Sequence, residues 1–261
     1  MKHSISYLGM EINATATPTE RGMLTDEGNF VNDRPLSKSV PYREVIGSLL
    51  YLATISRPDI SFAVNYLSRF NSKPMESNWK MVKRVFAYLK GTINYGIRFS
   101  GASDLVAYTD SDYAGDIHTG HSTSGVLVMR GGPVVWYAQK QRLVATSTAE
   151  AEYRAAVSTI DDICWIRRLG RELEILKSDE PATLYIDNQS AIHMLKNTHE
   201  GKITKGKKHI DIPRKFIQEH VGKTVKVQHV KSSDQLADIF TKALTRKSFL
   251  ELRSKIIKEE F

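Results

Sequence analysis

Leu105-Val-Ala-Tyr-Thr-Asp110 is a short apolar run that ends in an acid, and the stretch that follows it decides the fold. Residues 122–130 and 133–139 read as two strands, with Gly131-Gly132 between them as a hairpin signal. Thr183-Leu-Tyr-Ile-Asp187 is another strand ending in an acid, and residues 224–230 form a further one. Around these the period becomes helical. A long helix is predicted over 147–176, with an apolar stripe of Ala149, Tyr153, Ala156, Ile160, Ile163, Cys164, Leu169 and Leu173; shorter ones are predicted over 189–196, 210–220 and 235–244. Strands first, then strands alternating with helices, predict an α/β layer on a mixed sheet.

Upstream the pattern differs. Residues 1–41 are polar and turn-rich after a short strand-like start. Three helices follow. Val45, Ile46, Leu49, Leu50 and Ala53 mark the first, and Ile60, Phe62, Ala63, Tyr66 and Leu67 the second. Trp79, Val82, Phe86 and Leu89 mark the third, which Gly91 ends. The 261 residues allow one large domain or two modest ones, and with 41% hydrophobic and 25% charged residues the chain is neither fibrous nor wholly disordered. No run approaches the ~18 apolar residues of a membrane span. The N-terminus has no long apolar core of a secretory signal, and a single cysteine forms no internal disulfide. These features read as a soluble, intracellular chain.

The net charge of +8 is unevenly spread: residues 101–195 are net acidic and residues 196–231 strongly basic. This places carboxylates suited to cations next to a surface that attracts polyanions. Asp110 and Asp187 end strands, where ligands bind in open α/β sheets. Glu152 lies in the first turns of the long helix, and Asp238 on the polar side of the helix predicted over 235–244. Four acids from four elements, without a Cys or His cluster, favour a hard oxygen-liganded ion, magnesium or manganese.

Several motifs then make a resemblance specific. Tyr108-Thr-Asp-Ser-Asp-Tyr-Ala-Gly-Asp, Ser147-Thr-Ala-Glu-Ala-Glu-Tyr-Arg-Ala, Tyr185-Ile-Asp-Asn-Gln-Ser-Ala, Lys208-His-Ile-Asp-Ile and Gln235-Leu-Ala-Asp-Ile-Phe-Thr-Lys, in this order, resemble the ribonuclease H domain of copia-type retrotransposon Gag-Pol polyproteins. Tyr42-Arg-Glu-Val-Ile-Gly-Ser-Leu-Leu-Tyr-Leu-Ala with Thr54-Ile-Ser-Arg-Pro-Asp-Ile resembles the stretch after the polymerase catalytic domain, and Ser6-Tyr-Leu-Gly-Met-Glu-Ile its last strand. The resemblance implies a ribonuclease H-like mixed sheet flanked by helices, preceded by a small helical reverse transcriptase remnant. It divides the chain into 1–40 (end of the polymerase region and linker), 41–100 (helical connection or thumb-like segment), 101–245 (ribonuclease H-like domain) and 246–261 (C-terminal helical tail).

The resemblance also implies endonucleolytic cleavage of the RNA strand of RNA–DNA hybrids. Asp110, Glu152, Asp187 and Asp238 would bind two Mg2+ or Mn2+ ions and be catalytic. Asn188, Gln189 and Ser190, with Lys205, Lys207, Lys208 and His209 of the basic run, would contact substrate. The partners implied are the hybrid and the remainder of the polyprotein, in a cytoplasmic virus-like particle or the nucleus.

Neighbouring acids compete. Glu150 is read as a helix-dipole residue, and Asp112 and Asp116 as turn formers. Ile160-Asp161-Asp162 lies mid-helix rather than in a strand–turn setting, so no polymerase site is expected. The strand reaches the last helix through only two serines, which leaves no loop histidine unless His229 reaches in. Pro213 stands where the family usually has arginine. A catalytically silent nucleic-acid binder from a decayed element is the alternative. An exonuclease or integrase of the same broad fold is disfavoured by Gln235-Leu-Ala-Asp-Ile-Phe-Thr-Lys.

Overall fold

The computed structural model describes residues 14–19, 33–101, 103–176, 180–197 and 208–259, with 208–213 given by their helical backbone. The chain forms two units, Met1–Arg98 with Lys242–Phe261, and Phe99–Thr241.

The first unit opens with α1 (Tyr42–Ile55), a 3-10 turn (Pro58–Ile60), α2 (Ser61–Ser68), α3 (Glu76–Gly91) and the short strand β1 (Tyr95–Gly96). The stripe predicted for α1 is buried apart from Leu50, which is exposed, while Tyr42 joins the core. In α2, Val64 is buried and Tyr66 only half so. The face of α3 is rotated from the prediction: Asn78, Met81, Val82, Val85 and Tyr88 are buried, and Trp79, Phe86 and Leu89 only half so. A polar network sets that rotation. The Arg57 guanidinium donates to both Asp59 carboxylate oxygens (3.0 and 2.8 Å) and to Thr92, while the Tyr88 hydroxyl donates to Asp59 Oδ2 (2.5 Å). Burying Arg57 and Asp59 is tolerable because each charge is paired and hydrogen-bonded.

The second unit contains β2 (Val106–Asp112), β3 (Thr123–Met129), β4 (Pro133–Lys140), α4 (Thr148–Glu172), β5 (Ala182–Ile186), α5 (Gln189–Lys196), α6 (Lys208–His220) and β6 (Val225–His229). The strands form one five-stranded sheet in the order β4-β3-β2-β5-β6. Pairings among β2, β3 and β4 are antiparallel, and those from β2 to β5 and β5 to β6 parallel. This is the expected mixed sheet flanked by helices. Ala107, Val126, Val128, Leu184 and Ile186 of the sheet pack with Ala156, Ile160, Ile163 and Ile166 of α4 and with Ile192 and Leu195 of α5. Gly131, at φ +69°, makes the β3–β4 turn where a side chain would be strained.

Two predictions about helices are corrected. The helix predicted over 147–176 stops at Glu172, because the chain turns back through Glu174 (φ +56°) and the Ile175 and Leu176 amides donate to the Gly170 carbonyl. Leu173, assigned to its apolar stripe, is consequently exposed, and Leu169, on the last turn of α4, is exposed as well. In place of the helix predicted over 235–244 there is a five-residue 3-10 turn, Leu236–Phe240. Gln235 is buried, accepting from the Ala237 amide and donating to the Thr109 carbonyl (2.9 Å), and these bonds tie the segment to the sheet.

The chain then returns to the first unit as α7 (Arg246–Ile256) and the strand β7 (Lys258–Glu259), which pairs antiparallel with β1. Phe249, Leu252 and Ile256 of α7 are buried, and Arg253 donates to the Tyr88 hydroxyl (3.2 Å). Among the described residues no helix is long and apolar enough to cross a membrane.

Candidate active site

Parallel pairing aligns the two acid-terminated strands. Tyr108 of β2 is the register partner of Tyr185 of β5, and their rings stack with centroids 5.0 Å apart. Asp110 and Asp187 each follow two residues later and so emerge at the same end of the sheet. The Ser147 hydroxyl caps α4 by accepting the Glu150 amide (3.2 Å), which starts the helix so that Glu152 falls in its first turns. One carboxylate oxygen each from Asp110, Glu152 and Asp187 lies within 4.8 Å of the other two. Asp110 and Glu152 are buried and Asp187 half-buried.

The surroundings fix two of these acids. Thr241 Oγ1 donates to Asp110 Oδ2 (2.6 Å), and Ser232 Oγ donates to Asp187 Oδ2 (2.8 Å). The 3-10 turn reaches Asp110 because Gly125 stands opposite it on β3. A Cβ at Gly125 would lie 2.6 Å from Thr241 Cγ2 and 2.7 Å from the Ala237 carbonyl oxygen, so only glycine admits this approach. Burial, and then the neighbouring Asp110 and Asp187 charges, push the Glu152 carboxyl well above the usual carboxylate range. Its Oε2 is buried with no hydrogen-bond partner among the described residues. Three oxygen donors, one of them an orphaned buried oxygen, fit a hard divalent cation, and the triad could hold a metal ion.

Asp238 lies outside this cluster; it is half-buried on the 3-10 turn, three residues before Thr241. Glu150 accepts from Thr146 (2.6 Å) and from Arg154 (2.7 Å), and the Thr146 bonds hold its carboxyl low. Asp116 serves the turn after β2: burial opposes its ionisation, but Lys140 (2.6 Å) and Thr119 outweigh that and hold it at about 2. Asp112 lies over Gly115 in the same turn. Asp162 accepts from the Tyr137 hydroxyl (2.8 Å), well along α4 from the acids. His229 is exposed at the end of β6.

Among the candidate substrate contacts, Asn188 caps α5, its Oδ1 accepting the Ala191 amide (3.0 Å), while Gln189 and Ser190 are exposed on the first turn. Lys208 and His209 begin α6, and Lys205 and Lys207 lie outside the described residues. Pro213 falls within α6, which starts at Lys208, before the position predicted for it. Sequence reading missed Thr241 and Ser232, whose bonds run to residues far along the chain. The glycine at 125, inside the strand Thr123-Ser-Gly-Val-Leu-Val-Met129, was the one local signal of a close approach.

No protein-family model matches the chain. The retrovirus-related Pol polyprotein from transposon RE1 of Arabidopsis thaliana is 40% identical over 225 residues, covering 85% of the chain and 15% of that polyprotein. The corresponding polyprotein from transposon RE2 of the same plant is 36% identical over 260 residues, covering 98% of the chain and 18% of its own length. The chain thus spans less than a fifth of the length of either relative. Among solved structures, LC11-RNase H1 in complex with RNA/DNA hybrid is similar over 53% of this chain and 94% of that one, at 16% identity and a TM-score of 0.39.

Proposed function

This chain belongs to the copia-type retrotransposon Pol polyproteins, and from that premise we propose that its Phe99–Thr241 unit is a metal-dependent ribonuclease H acting on RNA–DNA hybrids in reverse transcription. The observation that carries this reading is the convergence of Asp110, Glu152 and Asp187, from three separate elements, within 4.8 Å of one another.

Asp110, Glu152 and Asp187, together with Asp238 of the 3-10 turn, would hold two Mg2+ or Mn2+ ions. Such ions, when bound, lower the pKa of a water and neutralise the leaving 3′-oxygen. The protein's own groups prepare the place. Thr241 and Ser232 fix the Asp110 and Asp187 carboxylates, so ligand oxygens need little rearrangement on loading. Glu152 keeps its proton in the metal-free site and must release it to solvent before its oxygens can serve as ligands. Asn188, Gln189 and Ser190, directly after Asp187, would contact the hybrid. Lys205, Lys207, Lys208 and His209 would attract its phosphates. The remainder of the Pol polyprotein would be the working partner.

The test is incubation of the chain with an end-labelled RNA–DNA hybrid, with Mg2+ or with a chelator. The RNA strand should be cut only with metal, and duplex DNA left intact. A chain that binds the hybrid and cuts nothing at any metal concentration is a silent binder, and the reading fails.

A further inference from the structure

Gln141 follows the last residue of β4, where its backbone amide donates to the Ser122 carbonyl (2.8 Å). Its side-chain nitrogen donates to three oxygens from three elements: Ser124 Oγ on β3 (2.9 Å), the Ala151 carbonyl on α4 (2.9 Å) and Ser111 Oγ on β2 (3.2 Å). The positions of those partners are informative. Ser111 follows Asp110, Ala151 precedes Glu152, and Ser111 and Ser124 are register partners next to the Asp110–Gly125 pair. An amide nitrogen has two hydrogens. A backbone carbonyl only accepts, whereas serine hydroxyls also donate. The Ala151 carbonyl therefore fixes which way the amide faces, and the two hydroxyls share what remains. The opposite end of the amide gains nothing, since its Oε1 is buried without a hydrogen-bond partner among the described residues. A buried orphan carbonyl is destabilising. An apolar side chain of the same length would avoid that cost, so the amide's use lies on its nitrogen side.

We infer that Gln141 is a positioning residue: its amide clamps the first turns of α4 to β2 and β3 and so sets the separation of Asp110 and Glu152. The inference rests on the proposed function, because that separation matters only if the two acids share metal ions. Carboxylates this close repel. Once Glu152 gives up its proton to serve as a ligand, this repulsion acts at the start of α4 and would lift that end of the helix from the strands. The clamp opposes this force beside both acids, and metal affinity depends on the ligands being held in place before the ion arrives.

Gln141→Met keeps the volume and removes the donors. Gln141→Asn keeps the amide but shortens the side chain by one methylene, so that it cannot span from the strands to Ala151. For the full chain, Mg2+ and Mn2+ binding is measured by calorimetry without substrate, alongside the metal-induced rise in Tm and kcat and KM for the hybrid at saturating metal. Both variants should bind metal about tenfold more weakly, with KM for the hybrid within about twofold of the original. Lowered metal-free Tm with unchanged metal affinity would make Gln141 a merely structural residue and overturn the inference. Should the Met variant fail to fold, the same criterion applies to the Asn variant. If the unaltered chain binds no metal, the proposed function falls and the clamp falls with it.

Discussion

Replacing Glu152 with glutamine should stabilise the metal-free protein, and increasingly so as pH rises. In the folded chain, burial and then the Asp110 and Asp187 charges raise the Glu152 carboxyl above its ordinary value of 4.5. With oxygens no more than 4.8 Å apart, two ionised carboxylates repel by at least about 3.5 kcal/mol at an effective dielectric of about 20. Ionising Glu152 between two such neighbours is therefore unfavourable, and the folded state keeps the proton after the unfolded chain has lost it. Over that window the folded state binds more protons, so stability falls as pH rises, by as much as about 1.4 kcal/mol per unit. Below the unfolded value the penalty vanishes, and above the raised folded value it is constant. Glutamine cannot ionise and still offers Asp110 a hydrogen-bond donor. Urea unfolding in chelator at pH 6, 7 and 8 should show the original chain losing roughly 3 kcal/mol relative to Glu152→Gln across that range. Groups that titrate alike in both proteins cancel in the comparison. Metal should narrow this gap: at a hundredfold excess over Kd it should restore about 2.7 kcal/mol to the original chain, and little to the variant. Parallel pH curves for the two metal-free proteins would refute the argument.

Asp110→Asn and Asp187→Asn should each abolish cleavage of the hybrid without unfolding the chain, judged by labelled-substrate assay and circular dichroism; retained cleavage in both would remove these acids from the site. Gly125→Ala would force a Cβ against the Ala237 carbonyl oxygen at 2.7 Å and Thr241 Cγ2 at 2.6 Å. It should cost about 1–3 kcal/mol in urea unfolding and lower kcat by displacing Thr241 from Asp110, whereas an original-like protein would mean that the turn yields freely. Asp59→Ala leaves Arg57 buried without its partner, and should destabilise the first unit by about 3–5 kcal/mol, read as a fall in Tm and faster proteolysis of that unit; an unchanged Tm would show the network to be dispensable.

What the sequence displays and what it hides divide along a physical line. The β3–β4 hairpin was legible because Gly131 supplies the positive φ that the turn requires, and α1 because its apolar spacing is local. Asp110 and Asp187 were legible as acids at strand ends, and parallel pairing of β2 with β5 is what turns two such acids into neighbours. The face of α3 was not legible, since Tyr88 is drawn inward by Asp59 and by Arg253, the latter 165 residues away in sequence. Choosing Trp79, Phe86 and Leu89 by size ignored the polar partners that make Asn78 and Tyr88 good interior residues.

The turn at Leu236–Phe240 shows the same limit at the site itself. Its apolar residues sit at helical spacing, yet Gln235 spends its side chain on the Thr109 carbonyl and the Ala237 amide, and the segment lies against the Gly125 backbone at a distance no side chain would permit. Those contacts, rather than helical propensity, choose the conformation. They also deliver Thr241 to Asp110, so the departure from regular helix and the anchoring of a candidate metal ligand have one cause. Gln141 extends that logic to Glu152. The acids of such a site can be read from residue types, but the groups holding them against their own repulsion are neutral amides and hydroxyls, whose roles exist only once distant segments have been brought together.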